Sequence, residues 1–566
     1  MGSYYSEAHI CQCLSRIYTL RRDSILTVSG NRQKTGKEFV EGVLSLAHGL
    51  LQLGVETGHV IAISAFNSDW YLEWFLAVAF VGGIIAPLNY RWSFLEAKLA
   101  IELVSPVLLV TDDSCSSWYL DLQSHSVASI KWHVFMDSPP SNLILTENVL
   151  TTETLKFHSP KKILSFDCLS APEGAALICF TSGTTGKPKG VTVSHSALIV
   201  QSLAKVAVVG YGEEDAYLHT APLCHIGGLS SALAMLMVGA SHVIIPKFEA
   251  KSAIKAIYLH NVTSFITVPA IMADLLSLLR KKNTRKGQES VKKILNGGGG
   301  LPLELINDAT KFFPKAKLLS AYGMTETCSS MTFMTLYDPT SRSFNQTYQK
   351  LGEIKANSAP NPEGVCVGKA APHVEMHIQI DGFSHIGRIL TRGPHVMLRY
   401  WNEIPTQESD SAYHGWFDTG DIGCIDEYGN VWLVGRAKGR IKSGGENVYP
   451  EEVEAVLSQH PGVSSVVVVG LPHNRLTEMV VACVQIKGAR QWIHANSNHV
   501  NDDRELVLSS EILQQYCKAR NVTRFKIPRI FVLWNKPFPV TSTGKLRRDQ
   551  VRREVMSQLR MFHSNL

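Results

Sequence analysis

The stretch AALICFTSGTTGKPKG, residues 175–190, joins an apolar run to a loop rich in glycine, hydroxyl and lysine side chains. The run 176–180 has the length and composition of a buried β-strand. In the loop, glycines let the backbone approach an anion, while hydroxyls and lysines supply hydrogen-bond donors and positive charge. The order of residues differs from the Walker pattern GxxxxGK[ST] but suits the same purpose, so the stretch predicts a strand that leads into a phosphate site.

Four other short apolar runs, at residues 60–65, 107–110, 242–245 and 264–268, also have the character of buried strands followed by helices. Such alternation predicts an α/β architecture with substantial parallel sheet. From about residue 365 to 434 the pattern changes to short strands with glycine turns, of which DEYGN at 426–430 is an example. A smaller β-rich lobe is expected there.

A polar, charged segment, GRAKGR at residues 435–440, has the composition of a linker. Beyond it, residues 450–460 predict a helix and residues 463–469 a buried strand. We therefore predict a large N-terminal domain, 1–435, built from parallel-rich sheets, helices and the β-rich lobe. A hinge at 436–440 would join it to a small, mobile α+β C-terminal domain, 441–566.

Composition excludes several classes of protein. The chain has 566 residues, a net charge of +6, 45% hydrophobic and 18% charged residues, which is ordinary for a packed globular protein of more than one domain. Collagen-like and disordered classes are excluded, and the mild charge does not indicate nucleic-acid binding. The eleven cysteines include no CxxC pair, which favours buried, reduced thiols over a zinc knuckle.

The longest apolar runs, 74–88 and 229–246, are interrupted by glycines. Neither run is longer than the ~18–20 residues that span a bilayer. Because glycines interrupt both runs, each predicts a buried helix, a turn and a strand. We expect no transmembrane segment.

Segment 181–190, TSGTTGKPKG, resembles the phosphate loop of the adenylate-forming enzymes, which include acyl-CoA ligases, luciferases and carrier-protein adenylation domains. Further segments match motifs of this family in the expected order from about residue 60 to 546. The resemblance implies ATP and CoA as substrates, Mg²⁺ as cofactor and a small-molecule acid as the third substrate. The nucleotide-binding residues that it implies are Thr181, Ser182, Gly183, Thr184, Thr185, Gly186, Lys187, Lys189, Gly298, Gly299, Ala321, Tyr322, Gly323, Thr325, Asp421, Arg436 and Asn447.

Within YGMTE, residues 322–326, the resemblance places Tyr322 against adenine, the Thr325 hydroxyl at the α-phosphate and Glu326 at Mg²⁺. Mg²⁺ prefers carboxylate, phosphate and water oxygens, which suits this assignment. Asp421 resembles the ribose-binding carboxylate, which can accept two hydroxyl hydrogen bonds. The turn NGGGGLP, 296–302, departs from the family: Gly299 stands where alanine is common and Gly300 where proline is common. We expect a roomier, less rigid turn, although the glycines could equally suit a tight turn.

The remaining assignments concern the hinge and the chemical steps. Lys438 falls at the family's pivot position, and Gly439 replaces an acidic residue common after it. The segment KSGGEN, 442–447, resembles the turn that enters the site for the thiol step, which assigns Lys442, Gly444 and Gly445 to CoA. Lys545, in PVTSTGK, resembles the lysine that bridges the two anions joined during adenylation.

His225, in PLCHIGG at 222–228, matches an aromatic-or-histidine position beside the acyl pocket, where it acts as a gate or substrate contact. We expect Gly227 and Gly228 to leave space there for a bulky acid. A structural role is the usual alternative for a lone histidine.

Several segments together most resemble plant ligases that convert 2-succinylbenzoate to its CoA thioester in phylloquinone synthesis: PLCHIGGLS, LNGGGGLP, SGGENVYP and the terminal SNL. A ligase for a 4-coumarate-like or medium-chain acid is the alternative; a luciferase-like oxygenase, a carrier-protein loading domain or a non-catalytic nucleotide-binding regulator fits less well. The C-terminal Ser564-Asn565-Leu566 resembles a peroxisomal address, with chloroplast or dual targeting as the alternative. The sequence does not indicate the oligomeric state.

Overall fold

A computed structural model of the chain describes residues 8–92, 94–124, 127–139, 147–157, 166–182, 188–282, 288–341, 364–380, 385–403, 415–436, 439, 441–443, 446–473, 476–488, 491–493, 507–520, 522, 524–540 and 546–563. The chain divides into two compact units. The first comprises Met1–Ala359, Val367–Met376 and Thr391–Phe417, and the second comprises Pro360–Cys366, His377–Leu390 and Asp418–Leu566. The predicted division at 436–440 into two contiguous domains stays a prediction.

The helices of the described residues are α1 (Gln12–Leu20), α2 (Gly36–Gln52), α3 (Asp69–Phe80), α4 (Phe94–Val104), α5 (Trp118–Ser124), α6 (Thr152–Phe157), α7 (His195–Lys205), α8 (Ile226–Val238), α9 (Ala250–Leu259), α10 (Pro269–Lys282), α11 (Leu303–Phe312), α12 (Pro450–Leu457), α13 (Ser510–Ala519) and α14 (Arg548–His563). A π-helical turn, Val206–Gly210, continues α7.

The strands of the same residues are β1 (Ile25–Ser29), β2 (Arg32–Thr35), β3 (Val60–Ser64), β4 (Ile84–Pro87), β5 (Leu108–Thr111), β6 (Trp132–Phe135), β7 (Val149–Thr151), β8 (Ala175–Ser182), β9 (Pro188–Ser194), β10 (Ala216–His219), β11 (Ser241–Ile244), β12 (Ser264–Thr267), β13 (Lys293–Asn296), β14 (Lys317–Tyr322), β15 (Thr332–Tyr337), β16 (Val365–Ala370), β17 (Glu375–Gln379), β18 (Gly387–Arg392), β19 (Arg399–Tyr400), β20 (Phe417–Ile425), β21 (Asn430–Arg436), β22 (Ile441–Ser443), β23 (Glu446–Val448), β24 (Val463–His473), β25 (Thr477–Ile486), β26 (Gln491–Trp492), β27 (Val507–Leu508) and β28 (Ile530–Leu533).

The first unit contains two parallel-rich sheets. One has the order β19-β9-β8-β4-β3-β5-β6-β7, parallel from β8 to β7, with β9 antiparallel to both β8 and β19. The other runs β15-β14-β13-β12-β10-β11-β1-β2 and is parallel from β14 to β1. Strand β15 pairs antiparallel with both β14 and β16, and β2, the last strand of this order, pairs antiparallel with β1. The predicted α/β architecture is confirmed, and β3, β5, β8, β11 and β12 confirm the five predicted strands.

Helix α3 explains the long apolar run at 74–88. All twelve of its residues are buried, as expected of a helix that is apolar on every side. Gly82, with a φ of +72°, turns the chain into the buried strand β4. The run 229–246 is likewise α8, a turn at Gly239 (φ +76°) and β11. Both predictions are confirmed, and none of the helices formed by the described residues is long and apolar enough to cross a membrane.

In the second unit, β24 and β25 pair antiparallel along their length, β22 pairs with β25, and β28 joins β25 in parallel. Helices α12 and α13 pack on this sheet around a core that includes Val453, Val468 and Leu513. These elements confirm the predicted helix at 450–460 and strand at 463–469. The expected turn at 426–430 is also present between β20 and β21, where Asp426 accepts from the Tyr428 and Asn430 amides at 3.0 and 2.8 Å.

Arg548, on α14, is only 24% exposed and has partners on two other elements. Its guanidinium bonds Glu454, reaches Glu451 at 3.0 Å and donates to the Val468 carbonyl at 2.8 Å. Arg548 therefore ties α14 to α12 and β24 within the second unit.

Candidate active site

Of three neighbouring parallel strands in the first unit, two end at segments to which the sequence analysis assigned nucleotide binding. Strands β12, β13 and β14 are neighbours, with Thr267 opposite Asn296 and Asn296 opposite Ser320. Ligands in α/β proteins bind outside the carboxyl ends of parallel strands. The glycine turn after β13 and the YGMTE segment at the end of β14 therefore emerge at one edge of this sheet.

The glycine turn after β13 is held by its own first residue. The Asn296 side-chain amide donates to the Gly299 carbonyl at 2.7 Å, and the Gly297 amide donates to the Thr267 carbonyl at 2.9 Å. Only Gly298 has a positive φ, +70°. A Cβ at Gly300 would meet no atom within 4 Å, which agrees with the expectation of a roomy turn.

The segment from Tyr322 to Met331 forms a compact turn. The Met331 amide donates to the Tyr322 carbonyl at 2.7 Å, and the Ser329 amide donates to the Met324 carbonyl at 3.1 Å. Gly323 permits this closure because a Cβ there would collide with the Ser329 carbonyl. The turn presents Thr325 as half-buried and leaves Glu326 8% exposed.

The phosphate-loop segment connects β8 to β9. Thr181 and Lys189 are opposite each other on these strands, so the two ends of the loop are brought together. Residues 397–401 lie along β9: Leu398 donates to the Thr192 carbonyl at 2.8 Å and Trp401 to the Gly190 carbonyl at 2.6 Å. The missing side chain of Gly190 allows this approach, since a Cβ would lie 3.1 Å from Trp401 Cβ.

The same segment links Lys189 to Glu326 through Tyr400. The Lys189 Nζ lies 4.6 Å from the centre of the Tyr400 ring, a cation–π contact. The Tyr400 hydroxyl donates to Glu326 Oε1 at 3.0 Å, and the Met397 amide donates to the Glu326 carbonyl at 2.8 Å. Burial, and then the Glu326 carboxylate, raise the pKa of Tyr400, so its hydroxyl stays a donor.

This arrangement fits the predicted metal role of Glu326. Its carboxylate is oriented by one neutral donor, which leaves oxygen lone pairs for a hard cation. No cluster of three or more His, Cys, Asp or Glu residues that could hold a metal occurs in the part of the chain that the structure describes. A single carboxylate suits Mg²⁺, which completes its shell with phosphate oxygens and water.

The predicted acyl-pocket segment forms the start of α8. His225 is the residue before the helix and is half-buried, and its carbonyl accepts from the Leu229 amide at 3.0 Å. At Gly227 a Cβ would meet only Ile266 Cδ1, at 3.9 Å, so Gly227 does face free space. The prediction for Gly228 is wrong: a Cβ there would collide with the Pro222 carbonyl, so this glycine allows a close backbone contact and leaves no space for an acid.

Two predicted nucleotide residues meet in the second unit. Asp421 on β20 and Arg436 on β21 are cross-strand partners, and Asp421 is 4% exposed. The Asp421 amide donates to the Thr419 hydroxyl at 3.1 Å. The strands on either side of the predicted thiol-step turn, β22 and β23, pair antiparallel, with Lys442 opposite Asn447.

Val540 and Leu546, which lie on either side of the segment that contains Lys545, form an antiparallel bridge. Some predicted site residues are not among those that the structure describes, and for others only the backbone is described. These residues are Ser182, Gly183, Thr184, Thr185, Gly186, Lys187, Arg436, Lys438, Lys442, Gly444, Gly445, Asn447, Lys545 and Ser564-Asn565-Leu566. Their roles stay predictions.

Tyr400 is the site residue that sequence reasoning missed. It stands 74 positions from Glu326 and comes into contact only because β19 pairs with β9. A tyrosine between Arg399 and Trp401 carries no spacing signal that could have found it.

Comparisons with known proteins identify the family of the chain. The AMP-binding enzyme family matches residues 18–401, and the AMP-binding enzyme C-terminal domain matches residues 452–545. A protein of Arabidopsis thaliana, named 2-succinylbenzoate–CoA ligase, chloroplastic/peroxisomal, is 54% identical over 99% of this chain and 100% of its own length.

Solved structures of o-succinylbenzoate CoA synthetase from Bacillus subtilis are similar over most of the chain. The complex with the acyl-adenylate intermediate is 26% identical, covers 95% of this chain and 97% of its own, and has a TM-score of 0.73. The complex with ATP and a magnesium ion is also 26% identical, with 95% and 98% coverage and a TM-score of 0.73. The chain therefore belongs to the AMP-binding enzyme family.

Proposed function

We propose that this protein is an AMP-forming acid–CoA ligase that converts 2-succinylbenzoate and CoA to 2-succinylbenzoyl-CoA. The observation that carries the substrate is the 54% identity over 99% of the chain to the Arabidopsis thaliana ligase of that name. The geometry around Glu326, Tyr400 and Lys189 supports the nucleotide chemistry.

The reaction has two steps. A carboxylate oxygen of the acid attacks the α-phosphorus of ATP, the bond from the α-phosphorus to the oxygen of the β-phosphate breaks, and pyrophosphate leaves. The thiolate of CoA then attacks the acyl carbon, the bond to AMP breaks, and AMP leaves. The mixed anhydride makes thioester formation feasible because AMP is a good leaving group.

Most of the predicted residues have a role in these two steps. The loop 181–189 binds phosphates, Tyr322 and the glycine turn hold adenine, Thr325 meets the α-phosphate, and Glu326 binds Mg²⁺. Lys545 stabilises the charge that develops when two anions join. Asp421 binds ribose. For the second step, Lys438 is the pivot and Lys442, Gly444 and Gly445 admit the thiol, while His225 and Gly227 border the acid.

The test measures AMP released by the purified chain with ATP, Mg²⁺ and CoA against 2-succinylbenzoate, 4-coumarate, octanoate and oxalate. We expect a clear preference for 2-succinylbenzoate, with its thioester seen by mass spectrometry. Preference for 4-coumarate or octanoate would retain the ligase chemistry and reject the substrate. Lys545→Ala should abolish AMP release while ATP still binds; full activity in this variant would refute the role of Lys545.

The chloroplastic/peroxisomal name of the Arabidopsis thaliana relative supports residence in an organelle. We assign the peroxisome on the terminal Ser564-Asn565-Leu566. A fluorescent fusion that keeps this C-terminus free should enter peroxisomes, and deletion of the three residues should abolish that; an unchanged pattern would contradict the assignment.

A further inference from the structure

Lys205, the last residue of α7, is a wholly buried cation with an unusual set of partners. The residue is 0% exposed. Its Nζ donates to Ser230 Oγ at 2.6 Å, to Ser231 Oγ at 3.0 Å and, at 3.4 Å, to Ser329 Oγ. Among the described residues no carboxylate forms an ion pair with it. Fully buried lysines are rare unless they are paired, so Lys205 requires an explanation.

Another buried charged residue of the same unit, Glu73, does have partners of opposite charge. The Glu73 side chain is 0% exposed, and both its oxygens bind ammonium groups, those of Lys34 and Lys156, at 2.5 Å each. The partners of Lys205 supply only hydroxyl oxygens. A hydroxyl can satisfy an N–H donor but cannot neutralise the charge, so the charged form of Lys205 has no anion beside it among the described residues.

The hydroxyls of Ser230 and Ser231 are oriented by hydrogen bonds so that their oxygen lone pairs point toward Lys205. The Ser230 hydroxyl donates to the Ile226 carbonyl at 2.6 Å, and the Ser231 hydroxyl donates to the Gly227 carbonyl at 2.8 Å. Because each hydroxyl has one proton, both oxygens face the ammonium as acceptors. The arrangement keeps the cation in one place in the absence of an ion-pair partner.

Lys205 lies between the two segments of the first unit assigned to the acid and to the nucleotide. Ser230 and Ser231 are on the first turns of α8, immediately after Gly227, whose Cβ position faces free space. Ser329 is in the compact turn that also carries Thr325. The Lys205 ammonium therefore bonds both the helix that begins beside Gly227 and the turn that carries Thr325.

Ser329 is the most exposed of the three hydroxyl partners of Lys205. Ser230 and Ser231 are fully buried, whereas Ser329 is half-buried and makes the longest of the three bonds. Ser329 also has a φ of +99°, a strained conformation for a non-glycine residue. Such strain is concentrated at ligand-binding sites, where the surrounding structure holds it in place.

We propose that Lys205, with the hydroxyls of Ser230, Ser231 and Ser329, binds the carboxylate of 2-succinylbenzoate that is not adenylated. The inference rests on the proposed function, since only a dicarboxylic substrate offers a second anion. It explains why a cation without an ion-pair partner is buried beside the acyl pocket. A purely structural lysine, tying α7 to α8, would have no preference between one acid and another.

The experiment compares acids that differ by one carboxylate. The diacid is 2-succinylbenzoate; the monoacids are 4-oxo-4-phenylbutanoate, without the ring carboxylate, and 2-butanoylbenzoate, without the aliphatic one. Dissociation constants are measured by calorimetry in the presence of a non-hydrolysable ATP analogue, and kcat/KM is measured for each acid that turns over. Lys205→Met keeps the length of the side chain and removes the charge.

We expect Lys205→Met to weaken diacid binding about 100-fold and to change the binding of the better monoacid less than about threefold. The loss should fall on KM for the diacid, with KM for ATP unchanged. Ser329→Ala should give a smaller loss, again for the diacid alone. Ser64→Ala is the matched control, because Ser64 is a buried serine of β3 whose hydroxyl lies 3.2 Å from Cys115 Sγ and makes no bond to Lys205 or its serine partners.

Equal losses for the diacid and the monoacid in Lys205→Met would overturn the proposal and leave Lys205 a packing residue. If Lys205→Met does not fold, Ser329→Ala decides the question by the same comparison. Failure of the proposed function shows separately, in the unmodified chain: a preference for 4-coumarate or octanoate would reject the diacid and this inference with it, before any variant is made.

Discussion

At the scale of single residues, the site depends on Tyr400, which connects a cation and a carboxylate that the sequence assigned separately. Its ring faces Lys189 and its hydroxyl donates to Glu326 at 3.0 Å. The hydroxyl fixes the carboxylate, and the ring restrains the lysine. These two contributions can be separated because phenylalanine keeps the ring and loses the hydroxyl.

Tyr400→Phe should lower kcat/KM for MgATP about fivefold, as expected for the loss of a hydrogen bond worth about 1 kcal/mol. The midpoint of thermal unfolding should change little, since the ring and its packing remain. Tyr428→Phe serves as the control, because Tyr428 is 70% exposed on a turn of the second unit. Unchanged MgATP kinetics in Tyr400→Phe would contradict a role for this hydroxyl in positioning Glu326.

The charge of Lys205 predicts a pH dependence for the diacid. Burial lowers the pKa of Lys205 to about 7, with the nearby Cys328 thiol acting weakly in the opposite direction. Burial also raises the pKa of Cys328 to about 12 and raises that of Tyr217, beside Ser231, so both stay neutral near pH 7. The residues of α8 include no titratable side chain.

Below pH 7 Lys205 is charged in the free enzyme and binds the carboxylate; above pH 7 it is increasingly neutral. The ratio of diacid to monoacid kcat/KM should therefore be constant below pH 7 and fall about tenfold per pH unit well above it. In Lys205→Met the ratio should be low and independent of pH. A ratio that rises with pH in the unmodified chain would contradict this assignment.

At the scale of secondary-structure elements, two neighbouring glycines at the start of α8 have opposite surroundings. Gly227 faces free space, whereas Gly228 allows the backbone of Pro222 to lie against the helix. Gly228→Ala should lower the free energy of unfolding by about 1–3 kcal/mol, because the helix or the Pro222 segment must move.

Gly227→Ala is the matched comparison. Its unfolding midpoint should be equal or slightly higher, since alanine favours a helix more than glycine does. Its KM for the acid should rise, because the methyl group enters the space beside Ile266. Differential scanning calorimetry and acid kinetics on both variants test the pair; a stable Gly228→Ala would show that this contact is not tight.

The strands and helices were largely predictable because each is specified by local pattern. Buried runs such as 60–65 and 264–268 are short, apolar and bounded by polar residues, and they form β3 and β12. Contacts between distant segments were not predictable. Tyr400 and Lys205 meet their partners through the pairing of β9 with β19 and the packing of α7 on α8, and neither leaves a pattern in the sequence. The role of Gly228 was predicted wrongly because a glycine in the sequence can mean either free space beside the chain or a backbone segment packed against it.

At the scale of the whole molecule, each of the two compact units has its own core and its own ion pairs. In the second unit Arg548 binds two glutamates of α12 and the Val468 carbonyl. Burial opposes the charge of Arg548, but the Glu454 and Glu451 carboxylates prevail and raise its pKa. Removing the guanidinium leaves two acidic side chains close together without their cation.

Arg548→Ala should therefore lower the free energy of unfolding of the second unit by about 2 kcal/mol, less than the 3–5 typical of fully buried pairs because the side chain is partly exposed. Arg553→Ala is the control: Arg553 pairs with Asp549 along the surface of the same helix and should change stability by less than about 0.5 kcal/mol. Calorimetry measures the free energy of unfolding of both variants. Equally small losses of stability in Arg548→Ala and Arg553→Ala would contradict the structural role of Arg548.

A single-turnover experiment followed by mass spectrometry shows whether the protein makes an acyl-adenylate before a thioester. Protein in excess is mixed with ATP, Mg²⁺ and 2-succinylbenzoate, and CoA is added in a second step. We predict one equivalent of 2-succinylbenzoyl-AMP and of pyrophosphate before CoA is added, then conversion to 2-succinylbenzoyl-CoA and AMP. Formation of ADP and phosphate, or of thioester with no adenylate before it, would contradict this prediction.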